Sequence, residues 1–383
     1  MDIKERSLAL HKKLKGKLSI KSKIDIKNKD DLSLVYTPGV ATSSLAIKED
    51  KEMSYELTGK GNTVAVISDG TAVLGLGDIG PLAAMPVMEG KCALFKQFAG
   101  INAVPIVLDT KDIEEIIQTI KFLAPSFGGI NLEDISAPRC FEIEKRLKDM
   151  LDIPVFHDDQ NGTAIVVGAA LLNALRLIKK EIDHIRVVIN GSGSAGIAIS
   201  RFLIELGVKD IVMCDKDGIL DPEDNKLNPV QLEMAKITNP KRLKGVLKDA
   251  VCCSDVFIGV SAGNVLKKEW VSLMNKDSVV FALANPIPEI DREEALAGGA
   301  RVYGAGISNT PNQINNALVF PGIFKGALEA RVKHIDIDMM KTACYALSKL
   351  VGDEELHEDY IIPNVFHEGV ARAISEAIKK NKF

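Results

Sequence analysis

The sequence predicts an α/β protein of two domains, an N-terminal α/β domain followed by a Rossmann-like domain built on a doubly wound parallel sheet. Three observations carry that prediction. The 383 residues suffice for two domains of ordinary size. Short apolar runs alternate with helical patterns both before and after residue 160. Residues 184–215 spell a complete strand, glycine-rich turn, helix and second strand.

The elements follow in order. Within residues 1–20, Leu8, Leu10, Leu14 and Leu18 stand among lysines. This reads as a short amphipathic helix, docked either on a partner chain or on its own. Residues 64–67, 93–95, 104–108 and 128–131 read as strands, and Ile113–Leu123 and 140–150 as helices. A strand over 153–156 leads through a turn-rich segment to the long apolar helix 164–178. Beyond the glycine-rich unit, 256–260, 279–282 and 302–303 are short, β-branched or aromatic, and each is followed by a loop and helix. They read as parallel strands whose following loops gather at one sheet edge, where open α/β sheets bind ligands. Helices over 339–350 and 370–380 close the chain, and no repeat or low-complexity tract interrupts it.

The unit at 184–215 is the most specific local signal. Ile185, Val187, Val188 and Ile189 precede Gly191, Gly193 and Gly196 in G-x-G-x-x-G spacing, and Asp215 ends the second strand nineteen residues past the last glycine. Gly191 allows a tight turn, Gly193 a close approach to a pyrophosphate, and Gly196 close helix–strand packing. Gly191, Ser192, Gly193, Ser194, Ala195 and Gly196 would cradle the phosphates at a helix N-terminus, and Asp215 would bind the ribose hydroxyls. The ligand is therefore NAD or NADP. Asp215 repels a 2′-phosphate and Lys216 beside it offsets that, which leans the reading to NAD. Gly75, Gly77 and Gly80 repeat the spacing. Pro81 and Pro86 crowd the helix start there, and no acid follows at the right distance, so this copy reads as a tight loop.

Composition narrows the function. Hydrophobic residues at 46% and charged residues at 26% give a soluble chain with a real core. A net charge of −4 without a long basic run argues against nucleic acid as a partner. No apolar run approaches the roughly 20 residues of a membrane span, and residues 1–30 are too polar for a signal peptide. Six cysteines without C-x-x-C spacing imply reduced thiols and a cytoplasmic setting, with Cys214 and Cys252 read as small buried hydrophobes.

Two pairs of acids stand out. Glu133 and Asp134 follow one strand, and Asp158 and Asp159 follow another. Adjacent carboxylates at strand ends are costly unless neutralised, and Mg2+ or Mn2+ prefers such oxygen ligands; surface acids at loop tips are the plain alternative. The block His157–Thr163 is dense in polar groups between an apolar strand and an apolar helix, which favours the metal. Lys91, at the mouth of an apolar run, could be a base with a lowered pKa or a snorkelling surface lysine. Tyr36, in a rigid Pro-Gly turn, could donate a proton or simply pack. Asn285, Asn315 and Asn316 suit a small polyoxygenated ligand, and equally suit turns.

Taken together these motifs resemble the malic enzyme family, in particular its short bacterial-type members. The resemblance rests on residues 36–40 (Tyr-Thr-Pro-Gly-Val), 68–78, the Lys91 segment, Asn131–Asp134, His157–Gln160 and 315–322, in order over about 10–380. It implies an N-terminal catalytic domain over 1–160 and a nucleotide-binding domain over 161–383. It implies NAD(P)-dependent, metal-dependent oxidative decarboxylation of L-malate to pyruvate and CO2, decarboxylation of oxaloacetate as a further activity, and a homodimer. By matching motif, Glu133, Asp134 and Asp159 are the implied metal ligands, Lys91 the general base, Tyr36 the general acid, and Asp158 the acid that holds Lys91. Asn285, Asn315 and Asn316 are the implied substrate amides, with Asn285 also near the cofactor. Larger members carry a substrate-binding Arg just before Gly75; here Thr71-Ala72 stand instead, leaving the group that binds the C1 carboxylate unassigned. Two rivals remain: a malolactic-type enzyme that keeps its NAD and releases lactate, and a non-catalytic dinucleotide sensor. The sensor would need neither Lys91 nor the acids.

Overall fold

The computed structural model describes residues 2–73 and 75–381. Two parallel sheets organise it. The first contains β1 (Thr63–Ser68), β2 (Asn102–Val107), β3 (Gly129–Leu132) and β4 (Val155–His157), in spatial order β2-β1-β3-β4. All its pairings are parallel. Helices Ile113–Leu123 and Arg139–Met150 cover one face, burying Ile116, Ile117, Ile120, Ile143 and Leu147 against Ala65, Ile67 and Ile130.

The second sheet holds β5 (Arg186–Asn190), β6 (Asp210–Asp215), β7 (Gly218–Ile219), β8 (Val256–Gly259), β9 (Ser278–Ala282) and β10 (Ala300–Ala305), in order β10-β9-β8-β5-β6-β7. The chain runs outward from β5 in one direction, then returns to β8 on its other side. That reversal between β5 and β8 is the switch point at which doubly wound sheets bind ligands. β7 is a short antiparallel edge strand, which the sequence pattern did not predict.

The two sheets are joined through a shared apolar core. Helix Thr163–Ile178, buried along most of its length, packs on the nucleotide helix Ser194–Glu205 and on Ile337–Ser348. By length and composition, the helical run Asp158–Ile178 could cross a bilayer, against the expectation that no run approaches that length; here 72% of its apolar window is buried in protein. Helix Phe320–Ala330 reaches back to the first sheet, with the Phe95 and Phe320 ring centres 4.7 Å apart and those of Phe156 and Phe324 5.9 Å apart.

Two expectations fail locally. Residues 93–95 are not a strand but lie in the helix Pro81–Ala99. Pro81 sits at the first helical position, where no N–H is needed, and Pro86 removes only one early hydrogen bond. Cys252 is exposed rather than buried, because its apolar run ends in a turn where Cys253 takes φ 58.

The N-terminal arm is the least covered part. Helix Ile3–Leu14 buries no residue, and Leu8, Leu10, Leu14, Leu18, Ile20 and Ile26 are all exposed. Lys17 anchors the arm to the helix Pro81–Ala99, its N–H donating to Glu89 at 3.2 Å and its Nζ to the Pro86 carbonyl at 2.7 Å.

Candidate active site

β3 and β4 run side by side in parallel, so the acids just beyond them converge. Oxygens of Glu133, Asp134 and Asp159 all lie within 4.8 Å of one another. Asp134 takes φ 54, a region that Asp tolerates better than most residues. Its N–H donates to Asp159 Oδ2 at 2.7 Å. Asn131, on β3, donates to Glu133 Oε2 at 2.9 Å. Asp158 and Asp159 open a π-helical turn, Asp158–Gly162, that packs directly against the nucleotide helix Ser194–Glu205.

Lys91 enters from the helix Pro81–Ala99 and is only 7% exposed. Its Nζ donates to Glu133 Oε1 at 2.7 Å and pairs with Asp158, and lies 4.2 Å from the centre of the Phe320 ring. Burial alone would lower its pKa, but Asp158, Glu133 and Asp159 outweigh burial and hold the ammonium above the usual lysine range. The expected lowering is therefore reversed in the protein alone. The acids respond in kind. Burial, followed by the charges of Asp159 and Glu133, pushes Asp134 up to about 9. Glu133, Asp158 and Asp159 are also raised, burial being the largest cause for each.

Four carboxylates thus face one ammonium. Asp134 Oδ2 and Asp158 Oδ1 are buried with no hydrogen-bond partner among the described residues. An all-oxygen donor set with excess negative charge and orphaned oxygens fits a hard divalent cation. Glu133, Asp134 and Asp159 are the side chains that would hold it.

The glycine-rich turn follows β5 at the switch point. A Cβ added at Gly196 would lie 1.8 Å from the Gly191 carbonyl oxygen, so no larger residue fits. Gly193 has open space around its α-carbon, and Ser194 and Ala195 begin the helix. Ser192 Oγ accepts from Gln231 Nε2 at 2.7 Å, a brace from a later helix that the sequence did not reveal. Asp215 accepts two N–H groups of its own turn through Oδ1, from Asp217 at 2.8 Å and Gly218 at 3.2 Å.

The amides divide. Asn316 packs over Gly162, where an added Cβ would lie 3.3 Å from its own, and so borders the Asp158 turn. Asn315 caps the short helix Asn316–Leu318, accepting the Ala317 N–H at 2.8 Å. Asn285 is exposed at the end of β9, and its backbone carbonyl meets the loop of the other glycine triplet. Gly75, at φ 73, approaches that carbonyl so closely that an added Cβ would lie 2.2 Å from it. That triplet is a tight loop, as expected, and it bridges the two sheets. Where the sequence left Thr71-Ala72 without an arginine, Arg139 arrives from a distant helix. It donates to Thr71 Oγ1 at 2.9 Å and pairs with Asp69 at 2.8 Å, bracing the loop. Tyr36 stands apart: it is 66% exposed at the end of helix Lys29–Val35, and no contact joins it to the acids among the described residues.

The family model described as malic enzyme, N-terminal domain, matches residues 15–148, and that described as malic enzyme, NAD binding domain, matches 160–382. The chain is 56% identical to the NAD-dependent malic enzyme of Geobacillus stearothermophilus, over 99% of this chain and 78% of that protein. It is 54% identical to the bifunctional malic/malolactic enzyme of Bacillus subtilis, over 99% of this chain and 93% of the relative. The crystal structure of NAD-dependent malic enzyme from Thermotoga maritima superposes with a TM-score of 0.94 at 50% identity, over 99% of each chain.

Proposed function

The chain belongs to the malic enzyme family, and from that premise we propose that it oxidatively decarboxylates L-malate to pyruvate and CO2 with reduction of NAD(P). One observation carries the assignment to this site: a buried lysine lies between Glu133 and Asp158, at an acid cluster that abuts the nucleotide helix. In this reading the chain divides near 160/161 into a catalytic and a nucleotide-binding domain.

Lys91 is the general base, taking the proton of the C2 hydroxyl, and Asp158 holds and orients it. Glu133, Asp134 and Asp159 would hold a divalent cation, which would supply positive charge for the oxygens on which negative charge grows as CO2 departs. The same charge would offset the carboxylates that now keep Lys91 protonated, bringing the lysine towards the neutral form a base needs. Asn285 and Asn316 hold the substrate's oxygens from the nucleotide side. Phe320 and the apolar wall behind it keep water from Lys91. Oxaloacetate, which already carries the C2 ketone, would lose CO2 at the same site without the oxidation step.

Tyr36, which stands apart from the acids within one chain, is the general acid that protonates C3 once the arm is docked. Its exposure on an arm of uncovered leucines and isoleucines supports a homodimer, in which a second copy covers the arm. The expected result is a solution mass near twice the 41.5 kDa of one chain, and a fall in kcat of about 10²- to 10⁴-fold in Tyr36→Phe. A monomer at assay concentration would sink the dimer, and an unimpaired Tyr36→Phe would sink the acid.

Asp215 favours NAD over NADP. The setting we infer is cytoplasmic. The first test is absorbance at 340 nm with malate, Mn2+ and either NAD or NADP, with and without EDTA. A rise that needs the metal and yields pyruvate is expected, faster with NAD. No rise, but lactate in the same tube, would instead favour the malolactic reaction named for the Bacillus subtilis relative.

A further inference from the structure

Glu289 is a carboxylate with no exposure at all, and none of the residues discussed so far accounts for it. It lies beyond β9, four residues past Asn285. Its Oε1 accepts the Ser261 N–H at 2.9 Å and its Oε2 the Ala284 N–H at 3.0 Å, with the Ser261 hydroxyl 3.4 Å from Oε1. These partners belong to different loops. Ser261 follows β8, and Ala284 follows β9 and directly precedes Asn285. Ser261 Oγ in turn accepts from Asn190 Nδ2 at 2.7 Å, and Asn190 is the residue before Gly191. Glu289 thus ties the loops after β8 and β9 together, and Ser261 links the first of them to the end of β5. Even the sheet makes room for it: a Cβ at Gly259, on β8, would lie 2.3 Å from the Glu289 carboxyl carbon.

Burying a carboxylate without a cationic partner is expensive, and burial does raise its pKa. An apolar side chain would fill that space at less cost but could not bridge two loops. We propose that Glu289 is a positioning residue for the reaction: by locking the loops after β8 and β9 together, it fixes Asn285 at the sheet edge beside the Gly75 loop. This rests on the reading of Asn285 as a substrate amide. The 284–288 segment also receives the Gly75 loop of the first sheet, so its position sets where the two halves of the site meet.

The test is a double-mutant cycle in the full-length enzyme, read as kcat and KM for malate, with NAD affinity measured separately by calorimetry without malate. Glu289→Gln keeps the shape but turns an N–H2 donor towards one of two N–H donors. We expect kcat/KM for malate to fall about 10- to 100-fold, with NAD affinity within about threefold of the parent. Added to Asn285→Ala, Glu289→Gln should cause little further loss, since it acts through a group already removed. Losses that multiply, or a Glu289→Gln enzyme with parental kcat/KM, would overturn the proposal. Should Glu289→Gln not fold, Ser261→Ala serves in its place, with a loss of about threefold expected and the same rule for additivity. Failure of the underlying reading looks different: Asn285→Ala itself would then leave kcat and KM for malate unchanged.

Discussion

Replacing Lys91 by alanine is expected to lower kcat by about 10²- to 10⁴-fold, while NAD binding stays close to that of the parent. The expectation follows from where Lys91 sits. It is on the helix Pro81–Ala99, and its polar partners are Glu133 and Asp158 rather than the turn Gly191–Gly196, so its loss should not disturb the nucleotide. Removing it also strips Glu133 and Asp158 of their cation, and breaking a buried pair in this way destabilises by roughly 3–5 kcal/mol. Loss of activity could then reflect unfolding, so the melting temperature must be read beside the rate. Lys91→Arg separates the two effects. It keeps the positive charge between the acids but cannot lose a proton in the working range, so it should fold better than the alanine variant and remain as inactive. Substantial turnover in either variant would remove Lys91 from the role of base.

The same lysine shows where the sequence was legible and where it was not. Its importance was readable through the family resemblance alone, since a lysine at the edge of an apolar run reads locally as a snorkelling surface residue. Its secondary structure was not. Pro81, Pro86 and Gly90 argue against a helix taken locally, yet the helix stands because Met88, Cys92 and Phe95 bury one face against the shared core. The acids at 133–134 and 158–159 were legible as a group, since each pair ends an apolar strand and parallel neighbours bring strand ends together. The dinucleotide turn was legible because its glycines answer to local geometry. Glu289 was not: an acid after Asn-Pro-Ile-Pro reads as a surface turn, and only the pairing of β8 with β9 buries it. Nor was Arg139, whose meeting with Thr71 depends on helix–loop contact across nearly seventy residues. What escaped are groups whose partners lie far away in sequence, where no spacing rule applies.

Asp159→Asn should separate function from stability, moving the two in opposite directions. In the protein alone, four acids crowd one ammonium; burial raises the pKa of each, and the charge of Asp159 raises Glu133, Asp134 and Asp158 further. Neutralising one of them relieves repulsion. The amide oxygen of the substituted side chain can still accept the Asp134 N–H that Asp159 accepts at 2.7 Å, so the local turn survives. Without added metal the variant should therefore melt at or above the parent's temperature. With Mn2+ the order should invert. A ligand that binds only the folded state stabilises it by about 2.7 kcal/mol at a hundred times its Kd, so the parent should melt several degrees higher as Mn2+ is added. Asp159→Asn gives up a charged oxygen that a hard cation prefers, so this rise should shrink or vanish, and half-saturating Mn2+ in the malate assay should increase by about 100-fold or more. The paired measurement matters because a merely damaged fold lowers the melting temperature with and without metal alike. If the variant's melting temperature climbs with Mn2+ as steeply as the parent's, Asp159 is no ligand, and the cluster must be held together by Lys91 alone.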